Sequence, residues 1–150
     1  MKIIIDADAC PVTELAAGAA ISHGIGCIIV CDTSHFIELD GCTSLTVDKG
    51  ADSADFKIVS IAEKDDIVVT QDYGLAAMCL AKKCRALNQN GLIYSDKNIE
   101  NLLYTRYVGK EIRLSGGRTK GPKKRTKEQD EKFLRAIDYL LRSEGVKSSQ

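Results

Sequence analysis

Five aspartates stand where a folded chain could gather them. Asp6 and Asp8 follow Ile3-Ile4-Ile5, Asp52 and Asp55 follow the β-favouring stretch Cys42 to Val47, and Asp72 follows Ile67-Val68-Val69-Thr70. Short, continuous apolar runs rich in β-branched residues read as strands buried on both faces, and such strands belong to parallel sheets. In a parallel sheet all strand C-termini lie along one edge, so acids that follow strands converge however far apart they are in sequence. The crevice beyond that edge is where open α/β sheets bind their ligands. Carboxylates alone make a hard-oxygen site, which selects Mg²⁺ or Mn²⁺ over zinc. Two such ions roughly 3.5 to 4 Å apart can hold a phosphodiester, one activating water and the other stabilising the leaving oxygen.

Capping explains some of these acids. Asp8 suits the N-cap of a helix opening at Pro11, and Asp52 or Asp55 suits the cap of the next helix. A single cap does not account for Asp48, Asp52 and Asp55 together, which repel one another unless a cation or a basic segment lies nearby. Asp6 ends an apolar strand directly and is the better ligand candidate.

The elements that must position these acids follow from the same pattern. An Ala-rich helix runs from Val12 to Ile21 and stops near His23-Gly24, and Cys27 to Cys31 is the second strand. Strand, helix and strand in succession imply a parallel crossover. Further helices are expected over Phe56–Ala62, Leu75–Cys84 and Lys97–Arg106, the last capped by Ser95 or Asp96. Asp65-Asp66 reads as a turn, Ala86-Leu87 as a short strand and Gly91–Tyr94 as one more. The fold class is α/β with a mostly parallel central sheet.

Net charge is zero over 150 residues, yet residues 1–104 hold 8 Lys/Arg against 15 Asp/Glu and residues 105–150 hold 13 against 6. An acidic body with a basic tail suits a bound cation in the one and a polyanion on the other. The organisation expected is a domain over 1–112, a basic Gly/Lys/Arg loop over 113–126, and a helix over 127–143 packed on the same domain. Arg118, Lys120, Lys123, Lys124 and Arg125, with Arg106 and Arg113, would attract a phosphate backbone. Thr126 and Gln129 fit a capping box, and Phe133, Ile137, Leu140 and Leu141 form the docking stripe. No run approaches the roughly 20 apolar residues of a spanning helix, so the expectation is a cytoplasmic protein without a membrane partner. The six cysteines lack metal-ligand spacing. Self-association is left open, the basic tail serving its own subunit or a neighbour's.

Four blocks carry a resemblance. Asp6-Ala-Asp8-Ala-Cys10-Pro11, Asp48-x-Gly50-Ala51-Asp52-x-x-Asp55, Val69-Thr70-Gln71-Asp72-Tyr73-x-Leu75-Ala76 and Gly116-Gly117-Arg118-x-Lys120-Gly121-Pro122-x-x-Arg125-Thr126 resemble the signature blocks of the uncharacterised bacterial YaiI/YqxD family. That family is grouped with PIN-like domains, so the resemblance implies a three-layer α/β/α PIN-like fold and a Mg²⁺- or Mn²⁺-dependent nuclease, with RNA ahead of DNA as partner. It implies Asp6, Asp55 and Asp72 as principal metal ligands and Asp8 and Asp52 in support. The mid-helix Glu of PIN proteins has no counterpart here unless Asp48 or Asp52 takes its place.

Two other functions fit some of the same residues. Asp-x-Asp after a strand also opens haloacid-dehalogenase-like phosphatases, in which the first Asp attacks phosphorus. A non-catalytic nucleic-acid-binding protein would use the acids as caps or as contacts to its own basic tail. Cys10 before Pro11 could act as a thiol nucleophile only with a base that the sequence does not identify.

Overall fold

The computed structural model describes residues 1–8, 10–50, 52–114 and 124–148, without the side chains at 110, 112–114 and 144–148. Ile3, Ile4 and Ile5 are fully buried in β1 (Lys2–Asp6). This strand is paired on both sides, with β2 (Gly26–Asp32) and with β4 (Ile67–Val69). With β3 (Thr43–Val47) and β5 (Arg85–Leu87) the order is β3-β2-β1-β4-β5, every pairing parallel. The chain builds outward from β1 to β3, then crosses back to place β4 on the other side of β1. The order therefore reverses between β1 and β4, and the crevice at their C-terminal ends is the switch point of the sheet.

Helices cover both faces, because successive side chains of a strand point to opposite sides. Ile3 and Ile5 share one core with Val12, Ala16, Ala17 and Ala20 around α1 (Thr13–Ser22) and with Phe133, Ile137, Leu140 and Leu141 of α5 (Lys127–Ser148). Ile4 belongs to the opposite core, with Ile58 of α2 (Ser53–Ile61), Leu75, Ala76 and Cys79 of α3 (Tyr73–Ala81), and Ile99 of α4 (Asp96–Leu114). This is the expected α/β architecture in three layers. The α5 stripe lies in the core as its spacing requires, and its capping box forms: the Thr126 N–H donates to Gln129 Oε1 at 2.9 Å and the Gln129 N–H to Thr126 Oγ1 at 3.3 Å.

Several local expectations are corrected. Gly91–Tyr94 makes no strand; Ile93 forms an isolated antiparallel bridge with Leu87. The turn over Asn88–Gly91, in which the Gly91 N–H donates to the Asn88 carbonyl, presses on α5: Gly91 has φ of 85°, and a Cβ there would lie 2.6 Å from the Lys132 carbonyl oxygen. Helix α4 continues past Arg106 to Leu114, opened by a reciprocal pair between Ser95 and Asn98. Asp66 is more than a turn residue, since its carboxylate is 2% exposed and pairs with Lys2 Nζ at 2.6 Å. Asp8 does not cap α1, whose N-cap is Val12.

Candidate functional site

Asp6 is the last residue of β1, and Thr70 directly follows β4, so adjacent parallel strands deliver both to the switch point. The Thr70 hydroxyl donates to Asp6 Oδ2 at 2.8 Å, and the Asp72 N–H donates to that hydroxyl at 3.0 Å. Asp72 then caps α3, its Oδ1 accepting from the N–H groups of Gly74 at 2.8 Å and Leu75 at 3.1 Å. Thr70 is buried, and its carbonyl accepts from the Tyr94 hydroxyl at 3.0 Å; the rings of Tyr94 and Tyr73 meet edge to face at 6.0 Å. Burial pushes the Tyr94 phenol up, as suits a packing residue that donates one fixed bond.

A cavity of about 550 Å³ opens above these residues, lined by Asp6, Asp8, Asp52, Asp55, Asp72 and Arg106 among others. The five aspartates singled out in the sequence are thus brought to one cavity. Asp52 sits at the N-cap position of α2 with φ of 70° yet makes no cap bond through its side chain, so capping does not explain its carboxylate. Asp55 lies in the first turn of the same helix.

Crowding shows in the protonation equilibria. Burial pushes the Asp6 carboxyl up to about 6, opposed by the Thr70 hydrogen bond and reinforced by the charges of Asp72 and Asp8. Asp55 is also pushed up to about 6, first by burial, then by the charges of Asp72, Asp6 and Asp52 and by a hydrogen bond with Asp72. Among the described residues, the cation at this cavity's wall is Arg106, whose Nη1 is 3.5 Å from Asp72 Oδ1. An oxygen-only donor set, charged against itself and reached from several elements, suits a hard divalent ion.

Two residues that the sequence does not single out, Asp32 and His35, group with Asp8. Asp8, Asp32 and His35 each bring one ligand atom within 4.8 Å of the others, a closer grouping than Asp6, Asp55 and Asp72 make among the described residues. Asp32 pairs with His35 Nδ1 at 3.1 Å, and although desolvation acts to raise its carboxyl pKa, the Ser34 N–H and His35 together hold it below the usual range. The strand-end rule, applied to β2, would have found Asp32.

The basic residues divide. Arg106 borders the acids, and Lys124 is exposed. Arg125, expected to hold phosphate, is engaged within the fold: Nε donates to Asp130 at 2.6 Å, Nη1 to Asn90 Oδ1 at 2.8 Å and Nη2 to the Gln89 carbonyl at 2.6 Å. The side chain of Arg113, and Arg118, Lys120 and Lys123 altogether, lie outside the described residues. Cys10 is half-buried, and burial raises its thiol pKa, which disfavours the thiolate a nucleophile needs. No described helix is long and apolar enough to cross a membrane.

Fold and site together define a doubly wound α/β protein with a carboxylate cavity at its switch point. Residues 4–143 match the model of the uncharacterized BCR, YaiI/YqxD family, and the chain belongs to that family. A UPF0178 protein of Exiguobacterium sibiricum is 51% identical over 141 residues, covering 94% of this chain and 96% of the relative. Another, from Ruminiclostridium cellulolyticum, is 49% identical over 145 residues, covering 97% and 95%. Among solved structures, a mutant of Rae1 (YacP) from Bacillus subtilis aligns over 95% of this chain and 98% of its own at 18% identity, with a TM-score of 0.41.

Proposed function

We propose that the chain is a divalent-metal-dependent phosphodiesterase acting on nucleic acid, with RNA the class implied by the PIN-like resemblance. The observation that carries this reading is the convergence of Asp6, Asp8, Asp52, Asp55 and Asp72 on one cavity, where burial first and neighbouring carboxylates next push Asp6 and Asp55 up to about 6. Such an arrangement destabilises the ion-free fold at neutral pH and gains from a cation. Asp6, Asp55 and Asp72 would hold Mg²⁺ or Mn²⁺. The ion, when bound, supplies Lewis-acid polarisation of a phosphoryl oxygen.

The chain's own groups do the rest. Thr70 fixes the Asp6 carboxylate and favours its ionised form, while the Gly74 and Leu75 N–H groups hold Asp72 in place. Arg106 lies on an exposed stretch of α4, so its guanidinium can exchange Asp72 for a non-bridging phosphate oxygen. Asp8 and Asp52, both exposed, line the same cavity and would hold water there. Lys124, exposed ahead of α5, would add a contact to a neighbouring phosphate.

The test is calorimetric titration with Mn²⁺ on wild type, Asp6→Asn and Asp55→Asn, joined to Mn²⁺-dependent cleavage of a mixed-sequence RNA. Saturable binding and cleavage, both lost in the variants, are expected. Absence of Mn²⁺ binding, or cleavage that survives Asp6→Asn and Asp55→Asn, overturns the reading. One observation favours a non-catalytic binder instead: Asp72 is already satisfied by its cap bonds and Arg106. That alternative predicts RNA binding with no Mn²⁺ heat.

A further inference from the structure

Beside the aspartate cavity lies a second, of about 440 Å³, and Asp52, Asp55, Asp72 and Arg106 line both. Its remaining wall differs in kind. Phe56 in α2 is 70% exposed and Met78 in α3 is 39% exposed, and both line this second cavity together with Gly74. A Cβ at Gly74 would come 3.3 Å from Asp72 Oδ1, so glycine keeps that wall low and the carboxylate undisturbed. A single exposed apolar residue is ordinary. A phenyl ring and a thioether facing three carboxylates and a guanidinium across one space impose a chemical demand.

The occupant must present a flat apolar face to Phe56 and Met78 and a hydrogen-bond donor to Asp52, the acid of this wall that remains when Asp55 and Asp72 hold the ion. An apolar protein side chain meets the first need and leaves the carboxylates desolvated without partners. A free ion or phosphate meets nothing on the apolar wall. A nucleobase meets both, with a π-face that stacks on an aromatic ring and an exocyclic amino group that donates to a carboxylate. Covalent geometry also places it: the base is one sugar away from its phosphate, so a strand with phosphate at the aspartates must set a base in an adjoining space.

We propose that the Phe56–Met78 cavity is the base-binding subsite for the nucleotide whose phosphate lies at the aspartates, with Phe56 as the stacking platform. The substrate then presents at least one unpaired, unstacked base beside the scissile bond. The subsite rests on the phosphodiesterase reading, and its test separates the two. Adenosine 5′-monophosphate and ribose 5-phosphate are titrated in Mg²⁺ into wild type, Phe56→Ala, Phe56→Trp and Asp6→Asn, with folding checked by circular dichroism. Wild type is expected to bind the nucleotide roughly tenfold more tightly than the sugar phosphate, the increment typical of one stacked base. Phe56→Ala should bring the nucleotide down to the level of the sugar phosphate, and Phe56→Trp should retain the difference. Equal binding of the two probes by wild type, or full nucleotide affinity in Phe56→Ala, overturns the subsite. If ribose 5-phosphate still binds and Asp6→Asn abolishes it, the phosphodiesterase reading stands without the subsite. If neither probe binds, both fail.

Discussion

The Thr70 hydroxyl donates to Asp6 at 2.8 Å while accepting from the Asp72 N–H at 3.0 Å, so one buried side chain joins two carboxylate-bearing segments across the switch point. Thr70→Val keeps the volume and removes both bonds. It leaves the Asp72 N–H without its acceptor, which costs about 1–3 kcal/mol when such a group is buried. It also removes a bond that favours ionised Asp6, so Mn²⁺ affinity falls and its onset moves to higher pH. Thr70→Ser restores both properties. Urea denaturation and calorimetry at two pH values check this, and unchanged stability in Thr70→Val would show that the bond is not formed.

The elevated carboxyls make a pH prediction whose sign is definite. Asp6 and Asp55 rise to about 6 in the folded protein, above the value near 3.9 typical of an unfolded aspartate. The folded state therefore binds more protons between roughly pH 4 and 6. The contribution of these groups to stability is greatest below that window and declines as pH rises through it. At pH 7.5 without divalent ion, Asp6→Asn should be more stable than wild type by on the order of 1 kcal/mol after allowance for solvent screening. At pH 4 the difference should vanish, and Mn²⁺ should stabilise wild type alone. Thermal melts with and without chelator measure this, and a wild type as stable as Asp6→Asn in chelator at pH 7.5 argues against crowding.

Arg106 separates fold from function. Its contact with Asp72 is long, at 3.5 Å, and exposed, and such pairs contribute about 0–1 kcal/mol. Arg106→Gln should unfold within about 0.5 kcal/mol of wild type. If its guanidinium meets phosphate, the variant binds RNA more weakly, and the slope of log affinity against log salt falls by roughly one. Fluorescence anisotropy across a salt series reads both quantities. An unchanged slope would return Arg106 to a structural role.

The parts of this fold that were legible in sequence are those written in local chemistry. Ile3-Ile4-Ile5 declares a doubly buried strand, and Thr126 with Gln129 declares a helix start. Strand ends followed by aspartates then locate the cavity edge, because parallel strands share a direction. Long-range pairings left no such mark. Lys2 reaches Asp66 across 64 positions, and no local pattern announces that a turn aspartate will be buried beneath a lysine. Gly91 read as a strand start because its packing partner is the backbone of α5, some 40 residues later. Asp32 ends β2, but its grouping with His35 and Asp8 exists only once the chain folds, because Asp8 lies on another segment.

Arg125, expected from sequence to meet phosphate, has its partners far along the chain, and it yields the sharpest test of the basic segment. Its guanidinium joins Asp130 at the start of α5 to Asn90 and the Gln89 carbonyl in the turn after β5, through three bonds of 2.6 to 2.8 Å. That turn already presses Gly91 on Lys132, so the two contacts dock α5 from one side. Arg125→Ala should destabilise the protein by roughly 2–3 kcal/mol, since it leaves several partly buried acceptors unpaired. Arg125→Lys should recover only part of this, because an ammonium cannot span the three acceptors as a planar fork does. Gly91→Ala should cost at least as much, through its φ of 85° and the close approach to Lys132. In each variant, measured where it remains folded, the salt slope of RNA binding should equal that of wild type. A slope lowered by about one in Arg125→Ala at full stability would instead make Arg125 a phosphate contact and leave α5 held by its apolar stripe.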